Sequence, residues 1–160
     1  MLLIVALGLF AWSVTDDKKP EVVAGWQTAT QADVTFQYPA DFGTQYLQPF
    51  DWPPQLQVLA GPYTCTQAGT ATQRAGATSE KVVGIHKYCV TEIIEGAAGS
   101  TYTQYAYAFP KDEQILIFTF STRAPQCGNY DEVEKSKCES ERTTFKLDDL
   151  IDRMASTVDS

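Results

Sequence analysis

The chain has 160 residues, of which 44% are hydrophobic and 20% charged, and its net charge at pH 7 is −8. This length and composition are typical of one folded domain and not of a disordered chain. An acidic surface repels phosphates, and the sequence contains no basic stripe that would offset this repulsion. We therefore exclude nucleic acid as a partner.

The N-terminus begins with the apolar run MLLIVALGLFAWSV. As a helix this run would span about 20 Å, which is shorter than the roughly 30 Å of a bilayer core and closer to a signal-peptide core. A weak small-x-small cleavage pattern occurs at Ala11 and Ser13, but no Lys or Arg precedes the run. A buried core helix is the alternative. We predict a signal or membrane-anchor segment with a linker at 1–19 and a single α+β domain at 20–160.

The charges that flank this segment do not fix its orientation. Lys18 and Lys19 follow it, and taken alone they would hold the domain in the cytosol, although Asp16 and Asp17 lie beside them. The cysteines indicate the opposite, so we expect an extracytoplasmic domain that is secreted or anchored to the membrane through its N-terminal segment if that segment is not cleaved.

The four cysteines are Cys65, Cys89, Cys127 and Cys138. An even number in a small domain behind an export-like segment is typical of disulfides. Of the three possible pairings we favour Cys65 with Cys89 and Cys127 with Cys138, because the members of each pair are nearest in sequence. A zinc site and four reduced core cysteines are the alternatives, but no C-x-x-C pair supports zinc.

The first half of the domain alternates between short strands and polar loops. We predict strands at 26–30, 34–38 and 56–61, with Pro39 ending the second of them because proline cannot donate to a ladder. The small polar run at 66–80 is predicted to be a surface loop.

The second half has a clearer strand period. Segments 82–85 and 88–94 flank a predicted turn around His86, and the alternating runs at 101–110 and 115–121 follow, each after its own turn. These segments predict an antiparallel meander. We place the His86 imidazole in solvent, with no nucleophile motif near it in the sequence.

The C-terminal region changes to a helical period. A charged segment at 131–142 is compatible with a helix, and an apolar stripe follows at helical spacing, formed by Leu147, Leu150, Ile151, Met154 and Val158. Sheet first and helix last predicts an α+β domain, in which this amphipathic helix covers the sheet.

Two motifs at opposite ends of the domain resemble the PsbP-like group of α/β/α sandwich domains. In VTFQYPADF, the residues Phe36, Tyr38 and Pro39 match that group's F-x-F-x-Y-P strand, which enters its sheet. The group's closing helix ends near a Ser-Phe or Thr-Phe pair, and in the final LIDRMASTV segment Ser156, Thr157 and Val158 stand at that place. The chain departs from the group at Val34 and in its four cysteines. The resemblance implies a binding or accessory role and supplies no catalytic residue.

The loop LQPFDWPPQ is the predicted ligand-binding segment. Phe50 and Trp52 lie beside Pro53 and Pro54, and aromatic side chains on a stiff loop lose little entropy on binding a peptide or sugar. The alternative is that Trp52 folds back onto the sheet as a packing residue.

Three other patterns are better explained by structure than by chemistry. GAAGST lacks the lysine of a phosphate-binding loop and predicts a hairpin turn, and Glu92 and Glu95 lie on opposite faces of one strand. The acidic cluster from Asp131 to Glu134 lacks the ligand order of a calcium loop and is expected to be a solvated helix face.

We accordingly predict a non-catalytic binding or accessory domain whose partner is a protein or cell-envelope component, with no metal, cofactor or enzymatic activity. A small envelope hydrolase with an unrecognised site and a secreted inhibitor of a hydrolase are the alternative functions.

Overall fold

A computed structural model describes residues 23–159, so the predicted N-terminal segment lies outside the described residues. The described chain forms nine strands and two α-helices. The strands are β1 Trp26–Gln31, β2 Val34–Pro39, β3 Gln48–Pro49, β4 Gln55–Ala60, β5 Ala68–Gly69, β6 Ala77–Val83, β7 His86–Ala97, β8 Ser100–Lys111 and β9 Gln114–Pro125. The helices are α1 Glu132–Thr144 and α2 Leu147–Ala155. The predicted α+β class is confirmed.

The main sheet has seven strands and is antiparallel. Strands β6 to β9 follow one another as the predicted meander, β5 extends one edge, and β3 and β4 both pair with β9 at the other edge. The long strands are rich in β-branched and aromatic residues, which favour a half-buried pleated surface. Because β4 precedes the meander in sequence but lies beside its last strand, the chain between β4 and β5 crosses from one edge to the other.

One face of this sheet carries the hydrophobic core. Phe118 lies between Leu56 and Tyr107 in the strand register, and these side chains are buried on the same face as Val90. The β1–β2 hairpin packs here, with the rings of Phe36 and Phe118 centred 4.9 Å apart.

Helix α2 covers the rest of this face. Ile151 and Met154 are fully buried in the core, which confirms the predicted amphipathic helix. Val158 is buried as well, but it lies after the helix has ended, in an extended segment whose next residue pairs with Thr35 of β2. The helical stripe therefore continues into a short strand-like segment.

Helix α1 begins at a side-chain cap and is connected to a distant loop by one carboxylate. Asp131 is the N-cap residue, and its side chain accepts hydrogen bonds from the backbone amides of Val133 and Glu134 at 3.1 and 3.0 Å. Near the other end, the Glu141 carboxylate accepts from the backbone amides of 45–47. The helix thereby fixes the loop that leads into β3.

Two expectations differ from the structure. The region 66–80, predicted to be a loop throughout, contains β5 and the first part of β6, because Thr78 and Ser79 pair with β7 despite their low apolar content. Apart from one bridge between Thr35 and Asp159, the β2 strand pairs with β1 in a two-stranded ribbon and packs over the main sheet, whereas the family resemblance implied a strand within the sheet.

Candidate functional site

The face of the main sheet that points away from α2 and the β1–β2 hairpin, here called the open face, carries a shallow groove of about 500 Å³. Its floor consists of short side chains on β7, β8 and β9, with Thr91, Ala106 and Thr119 opposite one another in register. Each of these three side chains is partly exposed. The short side chains explain the depression, because longer residues on both sides stand above them.

The walls of the groove supply uncharged hydrogen-bonding groups. Gln104 on β8 and Gln55 on β4 are exposed, and the side-chain amide of Gln104 makes no hydrogen bond to another described residue. The Ser121 hydroxyl donates to the Asp51 carboxylate at 2.6 Å, which fixes the one acidic group of the lining. The groove can therefore both donate and accept hydrogen bonds with little net charge.

The predicted ligand-binding loop lies beside this groove: Asp51 lines it, and Phe50 is the residue immediately before Asp51 but does not itself line the groove. Phe50 is 61% exposed and packs edge-on against Tyr102 with ring centres 5.6 Å apart. Its backbone amide donates to the carbonyl of Ser121 at 2.8 Å, which ties the loop to β9. Phe50 therefore presents an aromatic surface beside the groove.

Trp52, the other predicted residue, faces the core. Its indole ring packs edge-on against Phe42 and Phe120 at 5.1 and 5.5 Å, and its Nε1 donates to the carbonyl of Pro39 at 2.7 Å. This arrangement corresponds to the alternative interpretation of the loop, in which Trp52 folds back onto the sheet as a packing residue. Only Phe50 of the two presents its ring at the surface.

His86 begins β7 directly after a two-residue turn at Gly84 and Ile85. The expectation of an imidazole free in solvent is incomplete, because Nδ1 lies 2.7 Å from Asp152 of α2, which also accepts a 2.6 Å hydrogen bond from the Tyr88 hydroxyl. Ser156 lies one turn further on and donates its hydroxyl proton to the main-chain carbonyl of Asp152 at 2.8 Å. The serine is thus directed toward its own helix.

A second carboxylate of α2 completes a polar layer between helix and sheet. Asp148 accepts from the Tyr107 hydroxyl at 2.6 Å and from Lys81 at 3.1 Å, and Lys81 also reaches Glu92 at 3.0 Å. Burial alone would lower the pKa of Lys81, but its hydrogen bonds and charge interactions with Glu92 and Asp148 outweigh burial and raise that pKa.

The same polar layer contributes to the raised pKa values of two buried tyrosines. Burial raises the pKa of Tyr107 and of Tyr88 well above the ordinary value, and the hydrogen bonds to Asp148 and Asp152 raise both further. These hydroxyls therefore stay protonated and serve as donors to the helix. Asp148 and Asp152 have no counterpart in the sequence-based site predictions, because each is more than 40 residues from the tyrosine that it binds.

Both predicted disulfides are present, Cys65–Cys89 and Cys127–Cys138. The first ties the chain that crosses between sheet edges to β7 on the open face, and the second ties α1 to the chain after β9. Such bonds form and persist in oxidising compartments.

The remaining predicted patterns have structural roles. Residues of GAAGST form the turn between β7 and β8, with Ala98 and Gly99 at positive φ. Glu92 and Glu95 lie on opposite faces of β7, and no group of three potential metal ligands occurs in residues 23–159. Over the same range no helix is long and apolar enough to cross a membrane.

Comparisons with known proteins do not show a family. No family model matches the chain, and no curated protein matches it. A crystal structure of a protein from Bacteroides thetaiotaomicron VPI-5482, determined at 1.50 Å resolution, is similar over 85% of this chain and 48% of that chain, with a TM-score of 0.37 and 10% sequence identity.

Proposed function

We propose that this chain is a non-catalytic binding domain that works outside the cytoplasm and holds a neutral, hydroxyl-rich cell-envelope component, a glycan strand, in the groove of the open face. The observation that carries the proposal is the pairing of an exposed aromatic ring, Phe50, with a groove of uncharged amide and hydroxyl side chains.

The chemistry of the lining favours a saccharide over a charged ligand. The aliphatic face of a sugar packs on an aromatic ring, and its hydroxyls both donate and accept, as the side-chain amides of Gln55 and Gln104 do. The hydroxyls of Thr119 and Ser121 already donate to Gln55 and Asp51 and remain acceptors. An anionic ligand would require a cationic group, and no lysine, arginine or histidine of the described chain lines the groove. An extended strand of sugars also suits an open groove better than a closed pocket.

The placement outside the cytoplasm and the family are parts of the same proposal. Two disulfides that involve all four cysteines support an oxidising compartment, where envelope glycans are found. The closing helix over the sheet supports a divergent PsbP-like domain, a group whose members act by binding, although the strand with Phe36, Tyr38 and Pro39 lies outside the main sheet. Anchoring through the N-terminal segment would hold such a domain near the envelope.

The direct test is binding of the purified full chain to an array of immobilised bacterial and plant oligosaccharides. We expect retention on at least one neutral glycan and a loss of about fivefold or more in affinity for Phe50→Ala, the range of a moderate aromatic contact. Gln104→Ala should weaken the same interaction.

The matched control is Tyr130→Ala. Tyr130 is also partly exposed and packs edge-on against a neighbouring tyrosine, at 5.5 Å, but it lies beside α1 and does not line the groove. This variant should bind like the parent. Retention on no saccharide would refute the glycan as ligand, and equal binding by parent, Phe50→Ala and Gln104→Ala would refute the groove as the site.

A further inference from the structure

A second cavity, of about 460 Å³, lies at the end of the main sheet where the β6–β7 and β8–β9 turns meet the C-terminal end of α2. It is separate from the groove of the open face, with which it shares no lining residue. Its volume is within the range of small-molecule sites.

The charged or titratable side chains with a nitrogen that line this cavity are His86, Lys87 and Lys111, and no aspartate or glutamate of the described residues lines it, although the net charge of the whole chain is −8. His86 already faces Asp152 and Lys87 lies 3.5 Å from Glu80, whereas Lys111 has no ion-pair partner within 4 Å among residues 23–159. Lys111 is therefore the cation available to a ligand.

A buried hydroxyl in the same lining lacks a partner. The Tyr63 oxygen is shielded from solvent and makes no hydrogen bond to residues 23–159. Burial, followed by the charge of Glu80, raises the pKa of Tyr63, so the group remains a donor. Buried polar groups are nearly always satisfied in folded proteins, so this hydroxyl gains a hydrogen bond when the Tyr63 side chain turns to an acceptor in the cavity, and that turn breaks no existing hydrogen bond.

The other part of the lining is apolar. Phe109 forms a buried wall, Ala155 of α2 lies nearby, and Ile85 at the turn is 90% exposed. A fully exposed isoleucine at a cavity edge gains free energy when an apolar group covers it. The cavity thus combines a cationic and hydrogen-bonding part with an apolar part.

We infer that this cavity binds an organic monocarboxylate with an apolar body, such as a medium-chain fatty acid. The carboxylate pairs with the charge of Lys111 and accepts a hydrogen bond from the Tyr63 hydroxyl once that side chain has turned toward the cavity, and the hydrocarbon lies against Ile85 and Phe109. A neutral or cationic molecule of the same shape lacks the negative charge that pairs with Lys111.

The test is calorimetric titration of the full chain with octanoate, octanol and octylamine. We expect one octanoate per chain, with octanol and octylamine binding at least about tenfold more weakly because a charge-assisted hydrogen bond is lost. Equal affinity for octanoate and octanol would overturn the proposal, as would the absence of any octanoate binding.

Two variants assign the site and separate it from adsorption to other apolar segments. Lys111→Gln should weaken octanoate binding by about fivefold or more, while Lys135→Gln on α1, outside the cavity, should not change it. Tyr63→Phe should weaken binding yet leave the melting temperature unchanged or higher, because it removes an unsatisfied buried group. Octanoate affinity that is the same in the parent, Lys111→Gln and Tyr63→Phe would overturn the site.

Discussion

At the scale of single residues, Phe50 and Trp52 stand two positions apart in one loop and have opposite surroundings. Trp52 contacts three aromatic rings of the core and donates a hydrogen bond, whereas Phe50 touches Tyr102 and is mostly exposed. We expect Trp52→Ala to lower the free energy of unfolding by about 3 kcal/mol or more, and Phe50→Ala by less than about 1 kcal/mol.

Urea unfolding followed by far-ultraviolet circular dichroism measures both values. Trp52→Phe is a useful control, since it keeps most of the ring packing but removes the hydrogen bond to Pro39, and it should fall between the other two variants. Equal unfolding free energies for Trp52→Ala and Phe50→Ala would contradict the assignment of Trp52 to the core.

The local sequence predicts contacts between residues that lie close together in the chain better than contacts between residues that lie far apart. The disulfide pairing was predictable because both cysteine pairs lie close in sequence, 24 and 11 residues apart. His86 and Asp152 are 66 residues apart, and the contact exists only because α2 folds back over the meander. The groove has the same origin, since its side chains converge from four segments of the chain, of which only the loop before β4 was singled out in the sequence.

At the scale of elements, the turn of the β1–β2 hairpin contains a substitution site with a predictable gain. Ala32 and Asp33 both have positive φ, 51° and 62°, as in the two-residue turns of twisted hairpins. Asparagine tolerates this backbone region better than alanine. Ala32→Asn should therefore raise the free energy of unfolding by about 0.5 to 1 kcal/mol.

A thermal melt of the variant beside the parent provides the measurement. Ala97→Asn is the control, because Ala97 is also exposed but has ordinary strand geometry, so asparagine should give no gain there. A melting temperature for Ala32→Asn at or below that of the parent would show that the turn conformation differs from the one described.

The elements themselves were predictable where their period was strong. Strands β8 and β9 alternate large aromatic and small residues, and α2 places its apolar side chains on one side, so the sequence indicates both directly. Ala77 to Ser79 have no such pattern, and their strand is formed by pairing with β7. The position of β4 beside β9 likewise depends on long-range pairing that local periodicity does not encode.

At the scale of the whole molecule, the sheet has one covered face and one open face. On the covered face, a polar layer connects α2 to the sheet. Asp148 and Asp152 follow each other at helical spacing, and each accepts a hydrogen bond from a buried tyrosine of the sheet. The helix is therefore attached to the sheet by buried apolar side chains and by hydrogen bonds that require the two tyrosine hydroxyls to be protonated. This coupling makes the stability of the entire domain depend on pH in the alkaline range.

We expect stability to fall steeply above about pH 10. The ordinary pKa of tyrosine is 10.0, and those of Tyr88 and Tyr107 are raised in the folded protein, chiefly by burial. Above that pH the unfolded chain releases tyrosine protons that the folded chain keeps, so the stabilisation is fully present below it and is lost as the pH rises toward the folded values. Each group then contributes a slope of up to about 1.4 kcal/mol per pH unit.

Urea unfolding at intervals from pH 8 to pH 11 tests this prediction, with Tyr88→Phe as the comparison. The variant loses the hydrogen bond to Asp152 and should be less stable than the parent at pH 8, but it lacks one of the two phenols that bind the carboxylates of α2. Its stability should therefore decline with a shallower slope above pH 10, so that the two curves converge. Parallel curves, or a parent whose stability is constant up to pH 11, would show that the buried tyrosines do not link the helix to the sheet in this way.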